Sequence, residues 1–193
     1  MATKEIVVGV SARHVHLSQA DVETLFGPGH ELEPLRDLSF KGVFAAKETV
    51  DVKTEKSTMT GLRVLGPVRK QSQIELARTD CFKLGIKPPV RESGDLAGST
   101  PVTLIGPKGS IDLPEGAILA ARHIHIGSDT VAEWGKKNGD YVDVRAGGER
   151  GVTFHKVLLR AGRPGGHTEL HLDTDEANAC MLNTGDKVEV ILD

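Results

Sequence analysis

A six-residue phrase, Ala12-Arg13-His14-Val15-His16-Leu17, returns as Ala121-Arg122-His123-Ile124-His125-Ile126, and both histidine pairs move by the same 109 positions. Each copy is entered from an apolar run and left through a serine, Ser18 or Ser128, placed to cap a short helix. The glycine turns Asn138-Gly139-Asp140 and Thr184-Gly185-Asp186 each precede a similar apolar-alternating run. A repeat of this kind implies duplicated lobes related by approximate symmetry.

The lobes read as β. Residues 6–10, 49–54, 62–65, 102–105, 117–121, 141–145, 152–159, 168–172 and 187–192 mostly alternate apolar with polar side chains, which gives a strand one buried face. With 22 glycines and 9 prolines in 193 residues to punctuate these runs, a helical bundle is disfavoured. Few helices compete. One is expected after Ser18, with Asp21 completing a capping-box pattern and Val22, Leu25 and Phe26 as its apolar face. Another is expected after Gly127, with Ser128 as cap and Val131 and Trp134 turned inward. Residues 87–101, which contain KPP and SGDLAGSTP, read as a surface loop.

A chain of this length buries a core without help from disulfides or a structural metal, so a metal here would serve function. Cys81 and Cys180 stand far apart with no CxxC pairing, which fits a reducing cytoplasm. The first residues are too short and too polar a run for a signal peptide or a membrane span, so a soluble, unsecreted protein is expected. A net charge of -3 with dispersed Lys and Arg, together with one Trp, one Tyr and five Phe, gives nucleic-acid binding no support.

In an extended strand, residues i and i+2 share a face, so His14 with His16, and His123 with His125, can each converge on one ion. Imidazole suits zinc and other late divalent metals. An isolated HxH is more often a half-buried strand with hydrogen-bonded histidines; the duplicated ARHxH frame tips the balance toward metal. Two histidines leave a tetrahedral ion short of ligands. Glu75 and His171 are the best further candidates, Glu75 in a polar run unsuited to a core and His171 on the face opposite Leu170 and Leu172. Taken alone, each would pass for a surface residue. His30, His155 and His167 are assigned structural or exposed roles.

With these residues in view, the chain resembles the PduL-type phosphotransacylases, or phosphate propanoyltransferases, over essentially its full length. The matching pieces are GVSARHVHLS, GPVRKQSQIELARTDCFKLG, AARHIHI and HLDTDEANA. The resemblance implies a mainly β fold of two small β-barrels from an internal duplication, capped by short α-helices. One barrel would combine residues 1–12 with 121–193 and the other would be residues 13–120, with the active site at their interface. It implies two zinc ions per chain, one held by His14, His16 and Glu75 and the other by His123, His125 and His171. Arg69 matches the arginine that grips phosphate, and Ser11, Arg63, Leu65 and Asn178 match residues lining the coenzyme A site. A homodimer acting on acyl-CoA, coenzyme A and phosphate is expected, with an acetyl or propanoyl group transferred. Members sent to bacterial microcompartments carry an amphipathic N-terminal peptide; only ten residues precede Ser11 here, so a free cytoplasmic bacterial enzyme is expected.

Direct attack by phosphate, assisted by the metals, needs no protein nucleophile, and Cys81 has no adjacent base to make it an acyl carrier. Two other classes compete. A thioester or phosphate-ester hydrolase of the HxHxDH kind would want Asp at 18 and His at 19, where this chain has Ser18 and Gln19. A non-catalytic double-cupin binding module would want a glutamate soon after each HxH, but the next ones are Glu23 and Glu133.

Overall fold

A computed structural model describes residues 2–192. Its elements in chain order are β1 (Thr3–Ser11), β2 (His14–His16), α1 (Gln19–Phe26), β3 (Pro34–Asp37), β4 (Phe44–Lys53), β5 (Thr58–Gly66) and β6 (Gln73–Glu75). There follow α2 (Arg78–Leu84), β7 (Val90–Arg91), β8 (Thr100–Ile105), β9 (Ser110–Ala120), β10 (His123–Gly127) and α3 (Ser128–Glu133). The chain ends through β11 (Tyr141–Ala146), β12 (Val152–Gly162), β13 (Glu169–Asp173), α4 (Thr174–Ala179) and β14 (Lys187–Ile191). It divides into two units, Met1–Ala12 with Ala121–Asp193, and Arg13–Ala120.

In the first unit, six strands close a barrel in the order β1-β13-β10-β12-β11-β14. One side chain from each strand, Val8, Leu170, Ile124, Leu159, Val144 and Val190, is at most 1% exposed and fills the interior. The second unit closes a ring of its own through β9-β6-β2-β5-β4-β8, because β8 pairs with both β4 and β9. Its interior is again one residue per strand, Ala117, Ile74, Val15, Val64, Val52 and Leu104, all fully buried. Each valine, leucine or isoleucine among them contributes about 1.5–3 kcal/mol on burial, and the helices add Val22, Leu25 and Leu84 in one unit and Val131 in the other.

The two rings repeat one pattern of pairing. The HxH strand runs parallel to one neighbour (β2 with β5, β10 with β12) and antiparallel to the other (β2 with β6, β10 with β13). That second neighbour is in turn parallel to a long strand (β6 with β9, β13 with β1). The period of two then does the rest: Val15 and Ile124 point into the cores, so the histidines on either side of them point out.

The expected strands all form, most of them longer than the alternation alone delimits. The structure adds β3, β6 and β7. It also corrects the reading of residues 68–75 as a polar run unsuited to a core: Ser72 and Gln73 are 1% exposed, Ile74 is 0% and Glu75 is 8%. A second correction concerns residues 87–101, which are not wholly a surface loop, since they contain β7 and bury Leu96 and Ser99.

Helix α1 begins as expected, with the Ser18 hydroxyl accepting from the Asp21 amide at 3.2 Å and Val22 and Leu25 buried. Helix α3 differs. Its N-cap is Gly127 and Ser128 is already helical; the carboxylate of Asp129 instead accepts from the amides of Thr130 (2.9 Å) and Gly165 (2.8 Å). Helices α2 and α4 were not anticipated. Both turns Asn138-Gly139-Asp140 and Thr184-Gly185-Asp186 use a left-handed glycine, with φ of 88° and 95°, before β11 and β14. Among the described residues no helix is long and apolar enough to cross a membrane.

Candidate metal centres

The short strand β2 is held on both sides, parallel to β5 and antiparallel to β6. The β6 register sets His14 directly opposite Glu75. The three side chains meet outside the barrel core yet are nearly shielded from water, His14 being 7%, His16 4% and Glu75 8% exposed. The Nε2 atoms of His14 and His16 lie 3.2 Å apart, His14 Nε2 is 3.5 Å from Glu75 Oε2, and His16 Nε2 is 3.8 Å from Glu75 Oε1.

The other unit builds a second triad by the same rule. Here β13 sets His171 opposite His123, so His171 occupies the register position of Glu75. The Nε2 atoms of His123 and His125 are again 3.2 Å apart, and the ring of His171 lies 5.1 and 4.8 Å from theirs, centroid to centroid. In each triad one ligand-capable atom per residue lies within 4.8 Å of the other two.

These donors fit zinc. Tetrahedral bonds of about 2.0–2.1 Å place ligand atoms roughly 3.3–3.4 Å apart, close to the histidine nitrogen spacing in both triads. The Nδ1–H of His123 donates to the Ala121 carbonyl at 2.8 Å, which leaves the Nε2 lone pair directed at the centre of its triad. Electrostatics agree. Burial, then the charges of His14 and Arg69, pushes the pKa of His16 down to about 3. Burial, then His123, His171 and Arg160, does the same to His125, also to about 3. Burial by itself would raise the pKa of Glu75, but His14, His16, the hydrogen bond from Ser93 and Arg69 outweigh it and hold the carboxyl at about 2. Neutral imidazole and ionised carboxylate are the forms that bind metal.

These shifts have one sign for stability. As pH falls below 6.5, the ordinary histidine value, the unfolded chain takes up protons that folded His16 and His125 refuse down to about pH 3. Glu75 adds to this between 4.5 and about 2, because the unfolded carboxyl protonates first. Chelator-treated protein should therefore hold its full thermal midpoint above pH 6.5 and lose it progressively on acidification. A midpoint constant from pH 7 to pH 4 would contradict this.

Arg69 follows β5 and is tethered to the first HxH copy, its amide donating to the Leu17 carbonyl at 2.8 Å. Its guanidinium Nη1 donates to Ser93 Oγ at 2.8 Å, and Ser93 Oγ donates to Glu75 Oε1 at 2.6 Å. Gln73 Nε2 donates to both Glu75 Oε1 and Ser93 Oγ, while its own carbonyl accepts from the Gly94 amide at 2.9 Å. Ser93 thus joins the arginine to the carboxylate of the triad. No sequence signal marked it, because it sits in the stretch read as a loop.

The second triad has its own unforeseen guanidinium. Arg160 on β12 stands in register with His125, with Nη1 at 3.5 Å from His123 Nε2. Buried Glu169 accepts from His167 Nε2 at 2.8 Å and approaches His171 Nε2 at 3.2 Å, so exposed His167 has the structural role assigned to it, beside the second triad. That carboxylate fits only because residue 9 is glycine, since a Cβ there would overlap Oε1. His30 bonds to Glu48 at 2.7 Å and exposed His155 to Asp143 at 2.7 Å, both away from the triads.

Of the residues matched to a coenzyme A site, Arg63 and Leu65 lie two apart on β5, and the Arg63 guanidinium donates to the carbonyls of Ala46 and Lys47. Ser11 ends β1 beside Asp173, and Asn178 is exposed on α4, both in the other unit.

A family model described as phosphate propanoyltransferase matches residues 7–183. A phosphate propanoyltransferase of Thermotoga maritima is 50% identical over 187 residues, covering 96% of this chain and 89% of its own. One of Rhodopseudomonas palustris is 47% identical over 186 residues, covering 96% and 82% respectively. One of Priestia megaterium is 50% identical over 181 residues, covering 94% and 83%. With identity of this order along nearly the whole chain, and the histidine frames inside the matched span, the chain belongs to the phosphate propanoyltransferase family.

Proposed function

We propose that this chain is a zinc-dependent phosphate acyltransferase that moves a short acyl group, acetyl or propanoyl, reversibly between coenzyme A and inorganic phosphate. The observation that carries the reading is the pair of equivalent triads, each with a guanidinium beside it, in a chain of this family. His14, His16 and Glu75 would hold one ion, and His123, His125 and His171 the other. Ser11, Arg63, Leu65 and Asn178 line the coenzyme A site of a cytoplasmic homodimer.

What bound zinc supplies is Lewis acidity toward the thioester carbonyl and a soft acceptor for thiolate. Arg69 binds phosphate through its planar donor fork, held in orientation by Ser93. A phosphate oxygen then provides the electron pair for the new C–O bond, the C–S pair leaves with sulfur, and the products are acyl phosphate and coenzyme A. Fixed guanidinium charge beside the carbonyl favours the crowded, more anionic transition state over the ground state. The protein need not carry the acyl group. Cys81 and Cys180 are buried, with their thiols donating to helix carbonyls at Ala77 and at Glu176 and Ala177, so neither resembles an activated nucleophile.

The test is coenzyme A release from propanoyl-CoA, with and without phosphate, alongside trapping of acyl phosphate as hydroxamate. Release and hydroxamate that both require phosphate are expected. Phosphate-independent release would make the protein a hydrolase, and no release under either condition would make it a binding module.

A further inference from the structure

The duplication extends to a pair of ion pairs that take no part in the ligand sets. Arg13 directly precedes His14, and its Nη1 lies 3.0 Å from Oδ1 of Asp80. Arg122 directly precedes His123, and its Nε lies 2.8 Å from Oε1 of Glu176. Asp80 follows Glu75 by five residues, as Glu176 follows His171. The two acids therefore hold the same place relative to the third residue of their triads.

Their second oxygens are also used alike. Asp80 Oδ2 accepts from the amide of Ala77, the N-cap of α2, at 3.2 Å. Glu176 Oε2 accepts from the amide of Asp173, the N-cap of α4, at 3.3 Å. Each N-cap lies two residues beyond the third triad member. One carboxylate thus ties the residue before the first histidine to the turn that ends the opposing strand. The backbone ladder between those strands is short, only three residue pairs in each unit. A brace at its open end restrains the register that brings His14 to Glu75 and His123 to His171.

We propose that Arg13–Asp80 and Arg122–Glu176 are duplicated positioning clamps, each setting the metal affinity of its own triad. The inference rests on the reading that the triads hold metal. The arginine side chains are 48% and 35% exposed, so solvent screens their charge, while the carboxylates of Asp80 and Glu176, only 8% and 21% exposed, keep their hydrogen bonds to the N-cap amides when the arginine is removed. The effect of the pairs should appear at the metal, where removing a supporting partner typically costs about 10–100-fold in affinity.

The experiment is cobalt titration of the metal-stripped full-length protein, followed by its visible absorption, for the wild type and for Asp80→Asn, Glu176→Gln, Arg13→Gln and Arg122→Gln. The amide replacements keep size and an acceptor for the N-cap amide while removing the charge. Wild-type protein should bind two equivalents. Each variant should lose about 10-fold or more in affinity for one equivalent only, with its metal-free unfolding midpoint near that of wild type, and Arg13→Lys and Arg122→Lys should recover part of the loss. Two unweakened equivalents in all four variants, or weakening matched by a general loss of stability, would overturn the clamps. A wild-type protein that binds no cobalt would instead overturn the metal reading beneath them.

Discussion

Arg69→Ala is expected to lower kcat by roughly 100- to 1000-fold, the range seen when a single fixed donor to a developing anion is removed. The phosphate KM should rise as well, because the same guanidinium binds that substrate before reaction. Arg69→Lys should restore only part, since an ammonium is a point charge without the planar fork. Metal content should be unchanged in both, because Arg69 reaches the triad through Ser93 and is not a donor itself. Steady-state kinetics with varied phosphate read this directly. Near-normal phosphate dependence in the alanine variant would return Arg69 to the role of a solvated charge like neighbouring Lys70.

The largest effect is expected from the histidines. His14→Ala and His123→Ala, made separately, should each reduce turnover by roughly a thousandfold or more, about 4 kcal/mol of activation free energy, if both triads serve one reaction. Chelation should do the same, with recovery on adding zinc or cobalt. Folding should survive, because the barrels are filled by Val15 and Ile124 and their partners on the opposite face of those strands. Far-UV circular dichroism and an unfolding midpoint close to that of the metal-free wild type would establish that. Full turnover in either variant would leave the affected triad without a catalytic part.

The features legible in the sequence were those carried by local pattern. Alternation marks a strand with one wet face, and an HxH in such a strand advertises a shared direction for two imidazoles, so β2 and β10 were readable from a few residues. Glu75 was harder. Its strand is only three residues long and sets Gln73 and Glu75 opposite His16 and His14, so the burial of polar side chains there comes from tertiary pairing with β2 and β9 and not from composition. Ser93 and Arg160 have no local signature; one is a serine in a turn-rich stretch and the other an arginine on a long strand. Helices α2 and α4 have only 7 and 6 residues, too few for a helical period to register; the N-cap of α2, Ala77, has no capping side chain, whereas α4 carries a capping box of Asp173 and Glu176 that marks its start. Ser128 misled for a related reason. A serine before a helical run signals a cap, but here the carboxylate of Asp129 takes the Thr130 amide at the start of the helix. The duplicated acids at Asp80 and Glu176 become visible only once register places Glu75 and His171 at equivalent positions.

The most direct test of the account is metal content. Full-length protein purified without added metal should contain two zinc ions per chain by elemental analysis, and one in each of the double variants His14→Ala/His16→Ala and His123→Ala/His125→Ala. Wild-type protein without stoichiometric metal, or a double variant that keeps both ions, would contradict it.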